Sequence, residues 1–182
     1  MLNFNYGGDN MERIDYIDFD GVILDTEIPL FEEWRKFPNH REKSEAEKIK
    51  YIQKADWEYV LNNSEIINDA IYNLKNMDPS KSAILTKIHS SNEGRQKKIW
   101  VSSKQIKQPV ILVPYYKKKT DIVDARGNRL CDDCLKNLRE WVDAGGEPIF
   151  FDKDNDGYDS WHQPNVDNYT KIYKLSYFNS KM

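Results

Sequence analysis

Residues 14–26, Ile14-Asp15-Tyr16-Ile17-Asp18-Phe19-Asp20-Gly21-Val22-Ile23-Leu24-Asp25-Thr26, constrain this chain more than any other stretch. They read as a short apolar strand running into two acids spaced i, i+2 and then a glycine. Side chains two apart on a strand project to the same side, so Asp18 and Asp20 face one small volume while Phe19 points away. Gly21 permits the sharp reversal that keeps both acids at the strand tip. Two carboxylates at the end of a buried strand are costly unless compensated, and a divalent cation bound through hard oxygens is the usual compensation.

The rest of the chain alternates between two periods. Residues 82–86, 110–113, 129–133 and 149–151 read as further short buried strands after a first one at 13–17. Helices are expected at 90–101, with Ser90, Ser91 or Asn92 as its cap, and at 135–144, where Gly145-Gly146 stands at the C-terminal cap position. Strands alternating with helices predict an α/β fold, a Rossmann-like parallel sheet with helices on both faces. Ligands of such sheets sit beyond the C-terminal strand ends. Asp18, Asp20, Thr86, Asp132 and Asp133 all fall at such ends, so the topology predicts that they converge.

Between the first two strands the pattern is helical. Phe31, Trp34 and Phe37 fall at three-residue steps, and Ile49, Ile52, Trp57, Val60, Leu61, Ile66, Ile67, Ile71 and Leu74 follow at helical spacings. Pro29, Pro38 and Pro79 punctuate these pieces. The expectation is a core of residues 1–26 and 79–182, with 27–78 as a mostly helical cap inserted after the first strand. Residues 1–10 read as a loose polar leader without the basic start and apolar stretch of a secretory signal.

Bulk composition narrows the partners. The 182 residues carry a net charge of -3, with 39% hydrophobic and 31% charged side chains. That balance makes no electrostatic case for binding a nucleic acid polymer or an anionic membrane. No apolar run approaches membrane-spanning length. Two cysteines exclude a disulfide scaffold and make a reducing, cytoplasmic setting the expectation.

Asp18-Phe19-Asp20-Gly21 after a hydrophobic strand resembles the first motif of haloacid dehalogenase (HAD)-like hydrolases. Ile84-Leu85-Thr86 resembles the second, a strand ending in Thr or Ser, and Leu130-Cys131-Asp132-Asp133 the fourth, a strand ending in paired acids. Gly127-Asn128-Arg129-Leu130 and Asn137-Leu138-Arg139-Glu140-Trp141 with Gly145-Gly146 resemble the 5'(3')-deoxyribonucleotidase-like branch. The resemblance implies a phosphomonoester hydrolase in which Asp18 attacks phosphorus to form an aspartyl-phosphate, while Asp20 protonates the leaving alcohol and then activates water. It implies Mg2+ held by Asp18, the Asp20 backbone carbonyl and Asp132, with Asp133 as ligand or outer partner. Thr86 is implied to hydrogen-bond a phosphate oxygen, beside a phosphate-binding lysine. That lysine is one of Lys117, Lys118 and Lys119. Lys119 is preferred because it precedes Thr120-Asp121-Ile122, and Lys97, Lys98 and Lys104 rank below. The implied substrate is a small phosphorylated molecule, a nucleoside 5'-monophosphate in particular.

Each motif has a plainer reading. Cys131 and Cys134 form a C-x-x-C, yet zinc needs two more ligands, and Asp132 and Asp133 disfavour a thiolate. Residues 152–160 resemble the start of an EF-hand loop, but Gln163 stands where a bidentate glutamate is required, and Trp161, His162 and Pro164 oppose a following helix. Phe31, Trp34 and Phe37 could stack on a nucleobase, although an aromatic stripe at helical spacing usually packs. His40, His89 and His162 receive no role. The alternatives to a nucleotidase are a phosphatase for another small phosphometabolite and a non-enzymatic metal- or calcium-binding protein on the same fold.

Overall fold

The computed structural model describes residues 12–36, 39–159, 163–165 and 167–179. The leader at 1–10, Phe37, Pro38, Trp161 and His162 lie outside them. Strands β1 (Asp15–Ile17), β4 (Ser82–Ile88), β5 (Val110–Pro114), β6 (Arg129–Asp132), β7 (Glu147–Phe151) and β8 (Thr170–Ile172) build one six-stranded sheet in the order β5-β4-β1-β6-β7-β8, and every neighbouring pair is parallel. The α/β, Rossmann-like parallel sheet expected from the alternating pattern is therefore present. The sixth strand, β8, comes from the tail, where the sequence pattern marks no strand. A second, two-stranded antiparallel ribbon joins β2 (Leu24–Asp25) to β3 (Glu65–Ile66).

Side chains alternate across the sheet, as a pleated strand requires. Tyr16, Ala83, Leu85, Leu130 and Phe150 point to one face, where they meet Leu135, Leu138 and Trp141 of helix α6 (Leu135–Asp143). Ile17, Ile84, Cys131, Ile149 and Phe151 point to the other. That face is covered by α3 (Trp57–Asn63), α4 (Ala70–Asn76), α5 (Ser91–Ser103) and α7 (Ser176–Asn179). Each buried Leu, Ile or Phe here contributes roughly 1.5–3 kcal/mol relative to exposure. Burial on both faces explains why the strands read as short apolar runs.

Residues 27–78 contain α1 (Glu27–Arg35), α2 (Glu45–Lys54), α3 and α4. Ser44 and Glu47 start α2 with a capping box, each side chain serving the other's backbone N–H. Trp57, Val60, Leu61 and Leu74 belong to the same apolar cluster as Ile17 and Ile84, so this segment shares the core of the sheet. The Gln108 amide ties the end of α4 to β4, donating to the Leu74 and Met77 carbonyls and to the Ser82 hydroxyl. In the aromatic stripe, Trp34 is buried against Tyr51 with ring centroids 5.0 Å apart, and Phe31 stacks on the same tyrosine at 6.3 Å. These two rings serve packing. Gly145, at φ +87, ends α6, its N–H reaching the Val142 carbonyl at 2.8 Å.

Candidate active site

Register places the site. Ile17 pairs with Ile84 on one side and with Cys131 on the other, so the residues just beyond them come to one level at the strand tips. Asp18 follows β1 and still donates its N–H to the Cys131 carbonyl at 2.9 Å. Phe19 turns into the core and is fully buried edge-on against Trp100. The chain then reverses, with Gly21 N–H on the Leu24 carbonyl and the Ile23 and Leu24 N–H groups on the Phe19 carbonyl. Gly21 sits at φ +73, and a Cβ there would strike the Asp133 carboxylate.

The carboxylates of Asp18, Asp132 and Asp133 each bring an oxygen within 4.8 Å of the others. Among the described residues this is the group of acids able to share one cation. Asp132 is fully buried and heavily partnered. Its Oδ1 accepts the Cys134 N–H at 2.9 Å, and Asn137 Nδ2 donates to both oxygens at 3.1 and 3.0 Å. Lys119 Nζ lies 2.6 Å from Asp132 Oδ2 and 2.8 Å from Asp18 Oδ1. Burial pushes the Asp18 carboxyl up to about 7; Lys119 pulls it down, while Asp132 and Asp20 add to the rise. Burial works against the Lys119 ammonium, but Asp132 and Asp18 outweigh it and hold its pKa above the usual range.

Of the three lysines left open by the sequence, the structure brings one inward. Lys119 starts a 3-10 turn (Lys119–Asp121) and is buried, whereas Lys117 and Lys118 are exposed. Lys97, ranked below these three as a phosphate lysine, also stands in this cluster, a position that the sequence reading did not give it. It lies on α5, fully buried, with Nζ 2.5 Å from Asp20 Oδ2, 3.1 Å from Thr86 Oγ1 and 2.8 Å from Glu93 Oε1. The sequence carries only the i, i+4 spacing of Glu93 and Lys97, which does not separate a buried pair from a surface one. Glu93, Gly94, Lys97, Trp100 and Val101 form the buried stripe of α5, so two opposite charges four residues apart ride on an apolar face. Thr86, also fully buried, and Asp20 complete the cluster, with the Thr26 hydroxyl donating to Asp20 Oδ1 at 2.9 Å. Of the six residues expected at the site, Asp18 and Asp20 follow β1, Asp132 and Asp133 stand at the tip of β6, Lys119 lies on the turn beyond β5, and Thr86 lies inside β4, which runs two residues past the expected end to Ile88.

The other motifs resolve into structure. Cys131 and Cys134 are free thiols, and burial, reinforced by Asp132, raises both, Cys134 to about 12. The acidic loop after β7 is a turn built on Asp152, which is buried. Its Oδ1 accepts the Asp156 N–H and its Oδ2 the Gly157 N–H, with Lys171 Nζ 3.3 Å away. Asp154 and Asp156 bring no oxygens into a three-ligand group with it among the described residues. No described helix is long and apolar enough to cross a membrane.

Comparison with known proteins agrees with this architecture. No protein-family model matches the sequence, and no curated protein matches it. Solved structures do. A HAD-hydrolase from Bacillus subtilis, YfnB bound to magnesium, superposes with a TM-score of 0.59 at 15% identity, over 92% of this chain and 97% of that one. A HAD phosphatase from Thermococcus onnurineus gives 0.58 at 14% identity, over 92% and 96%. A haloacid dehalogenase-like hydrolase from Streptococcus pneumoniae gives 0.57 at 12%, over 92% and 97%. At these identities the likeness is one of fold alone, a Rossmann-like α/β sheet shared with these hydrolases.

Proposed function

We propose that this protein is a phosphomonoester hydrolase that works through an aspartyl-phosphate on Asp18. The observation that carries the reading is the meeting, at one end of a parallel sheet, of a buried carboxylate, Asp18, with a second acid, Asp20, a hydroxyl, Thr86, and a buried ammonium, Lys119. Phosphoryl transfer needs an aligned nucleophile, a proton carrier and positive charge around phosphorus, and little else.

In the first half of the reaction a carboxylate oxygen of Asp18 forms a bond to phosphorus. The bond from phosphorus to the ester oxygen breaks, its electron pair stays on that oxygen, and Asp20 delivers a proton there. In the second half Asp20 takes a proton from water as the water oxygen bonds to phosphorus. The Asp18–phosphorus bond breaks, releasing inorganic phosphate and restoring both carboxyl groups. Thr86 Oγ1 binds a phosphate oxygen, and Lys119 offsets the charge gathering on the phosphoryl group.

The donor set fits Mg2+. Asp18, Asp132 and Asp133 offer hard carboxylate oxygens, and burial strains the Asp18 charge in a way that a cation relieves. Bound there, Mg2+ lowers the repulsion between an anionic nucleophile and an anionic substrate. The leaving group we favour is a nucleoside, supported by the resemblance of residues 127–146 to the deoxyribonucleotidase-like branch. In this reading residues 27–78 act as the cap that selects it, since they leave the sheet directly after the Asp20 turn, and the enzyme is cytoplasmic.

The test is phosphate release from a panel of nucleoside monophosphates and sugar phosphates, with Mg2+ or with EDTA, for wild type and Asp18→Asn. Turnover that needs Mg2+ and falls at least about a thousandfold in the variant supports the reaction. The ranking of substrates tests the nucleoside. Absence of turnover from folded, Mg2+-loaded wild type on the whole panel overturns the hydrolase reading.

A further inference from the structure

Asp20 is gripped from two sides. Its Oδ2 takes the Lys97 ammonium at 2.5 Å and its Oδ1 takes the Thr26 hydroxyl at 2.9 Å. Lys97 is itself immobilised. Its Nζ also reaches the Thr86 hydroxyl and the Lys87 carbonyl, each at 3.1 Å, and Glu93 Oε1 at 2.8 Å. The rings of Phe19 and Trp57 lie 5.3 Å from it. Glu93 is almost completely buried, and its Oε2 accepts the His89 N–H at 2.7 Å. A buried ammonium with this many fixed acceptors has one conformation. Its charge is already matched by Glu93, so it is not a spare cation awaiting phosphate. What it does supply is a fixed point for a carboxylate that is otherwise about one-third exposed, at 35%.

We propose that Lys97, braced by Glu93, is a positioning residue that sets the orientation of the Asp20 carboxylate, and that Oδ1 of Asp20 is the atom that carries the proton. Oδ2 already accepts from the Lys97 ammonium and, at 3.4 Å, from the Thr86 hydroxyl, so a proton there would displace a charge-assisted bond; Oδ1 faces only the Thr26 hydroxyl, which can rotate to accept from it. This rests on the hydrolase reading above. It adds a residue from α5 to a site otherwise built from strand ends, and it divides the two lysines: Lys119 serves phosphorus, Lys97 serves the leaving group.

The experiment measures phosphoenzyme formation by rapid acid quench with Mg2+ present, using an alkyl phosphate and p-nitrophenyl phosphate. An alkoxide needs a proton as it departs; p-nitrophenolate does not. A misplaced proton carrier therefore slows the alkyl ester selectively, by roughly a hundredfold, the size expected for general acid catalysis. Lys97→Met and Asp20→Asn are expected to lower the alkyl-to-aryl rate ratio alike, and Lys97→Arg to restore part of it. Because Lys97→Met alone strands a buried Glu93, the pair Glu93→Gln with Lys97→Met, which removes both charges, is measured beside it and is expected to show the same selective loss. Equal losses on the two esters in a folded variant, or no loss, overturn the role of Lys97 while the hydrolase reading stands. A wild type that forms no phosphoenzyme from either ester overturns both.

Discussion

The carboxylate of Asp133 occupies the space that a side chain at Gly21 would need. The glycine of the first turn and the second acid of the β6 tip are thereby interlocked, although 112 residues separate them in the chain (133 minus 21). Gly21 answers two demands at once: a left-handed backbone at φ +73 and an empty position against the acids. Gly21→Ala is expected to destabilise the protein by about 1–3 kcal/mol and to push Asp133 away from Asp18 and Asp132. Thermal unfolding with and without Mg2+ checks this. A variant as stable as wild type, with the same Mg2+-induced rise, would contradict it.

Asp18 makes stability depend on pH in a direction opposite to most carboxylates. Its folded pKa lies near 7, above the ordinary 3.8, mainly through burial. Between those values the folded state binds the proton more tightly than the unfolded chain. Stability from this group is therefore full below about pH 4 and is lost as pH rises toward 7, with a slope of at most about 1.4 kcal/mol per pH unit. In EDTA, Asp18→Asn should flatten that slope in denaturant titrations run from pH 4.5 to 7.5. Added Mg2+, which favours the carboxylate, should flatten it in wild type as well. Identical slopes for wild type and variant in EDTA would refute the assignment.

Lys119 holds two buried acids together. Lys119→Met leaves Asp18 and Asp132 facing each other without a cation, and in EDTA it should cost about 3–5 kcal/mol. Mg2+ should restore part of the loss. Lys117→Met and Lys118→Met, both at exposed positions, should stay within about 0.5 kcal/mol of wild type. Urea unfolding of the three variants ranks the lysines directly, and an equal effect at all three would undo the distinction drawn here.

The two thiols should be inert. Burial holds Cys131 well above its ordinary value and Cys134 at about 12, so neither forms a thiolate near neutral pH. An aromatic disulfide reagent at pH 7.5 should label neither in the native protein and both in denaturant. Rapid labelling of native Cys134 would revive a redox reading of the C-x-x-C spacing.

Much of this site was legible before folding. Asp18, Asp20, Thr86, Asp132 and Asp133 were identifiable because each ends an apolar run, and a parallel sheet brings strand C-terminal ends together whatever lies between them. Gly21 and Gly145 were identifiable because a turn and a helix end impose left-handed backbone. Lys97 was not, because a lysine reads as solvent-facing until its partners are known, and Asp20 is 77 residues away. Among Lys117, Lys118 and Lys119 the sequence supported only a preference for Lys119 from its place in the chain, since one turn decides which of three adjacent ammonium groups faces inward. Strand β8 escaped because Thr170–Ile172 is short and shows too little pattern to separate a strand from a buried loop.

The sequence by itself determined five of the six strands, their parallel direction and the acids at their tips, because hydrophobic period and turn chemistry are local properties that survive any rearrangement of the loops. Only the tertiary structure decided which cations meet those acids. Charge pairing acts through space, and burial makes the pairing of Lys97 with Asp20 and Glu93, and of Lys119 with Asp18 and Asp132, obligatory rather than optional.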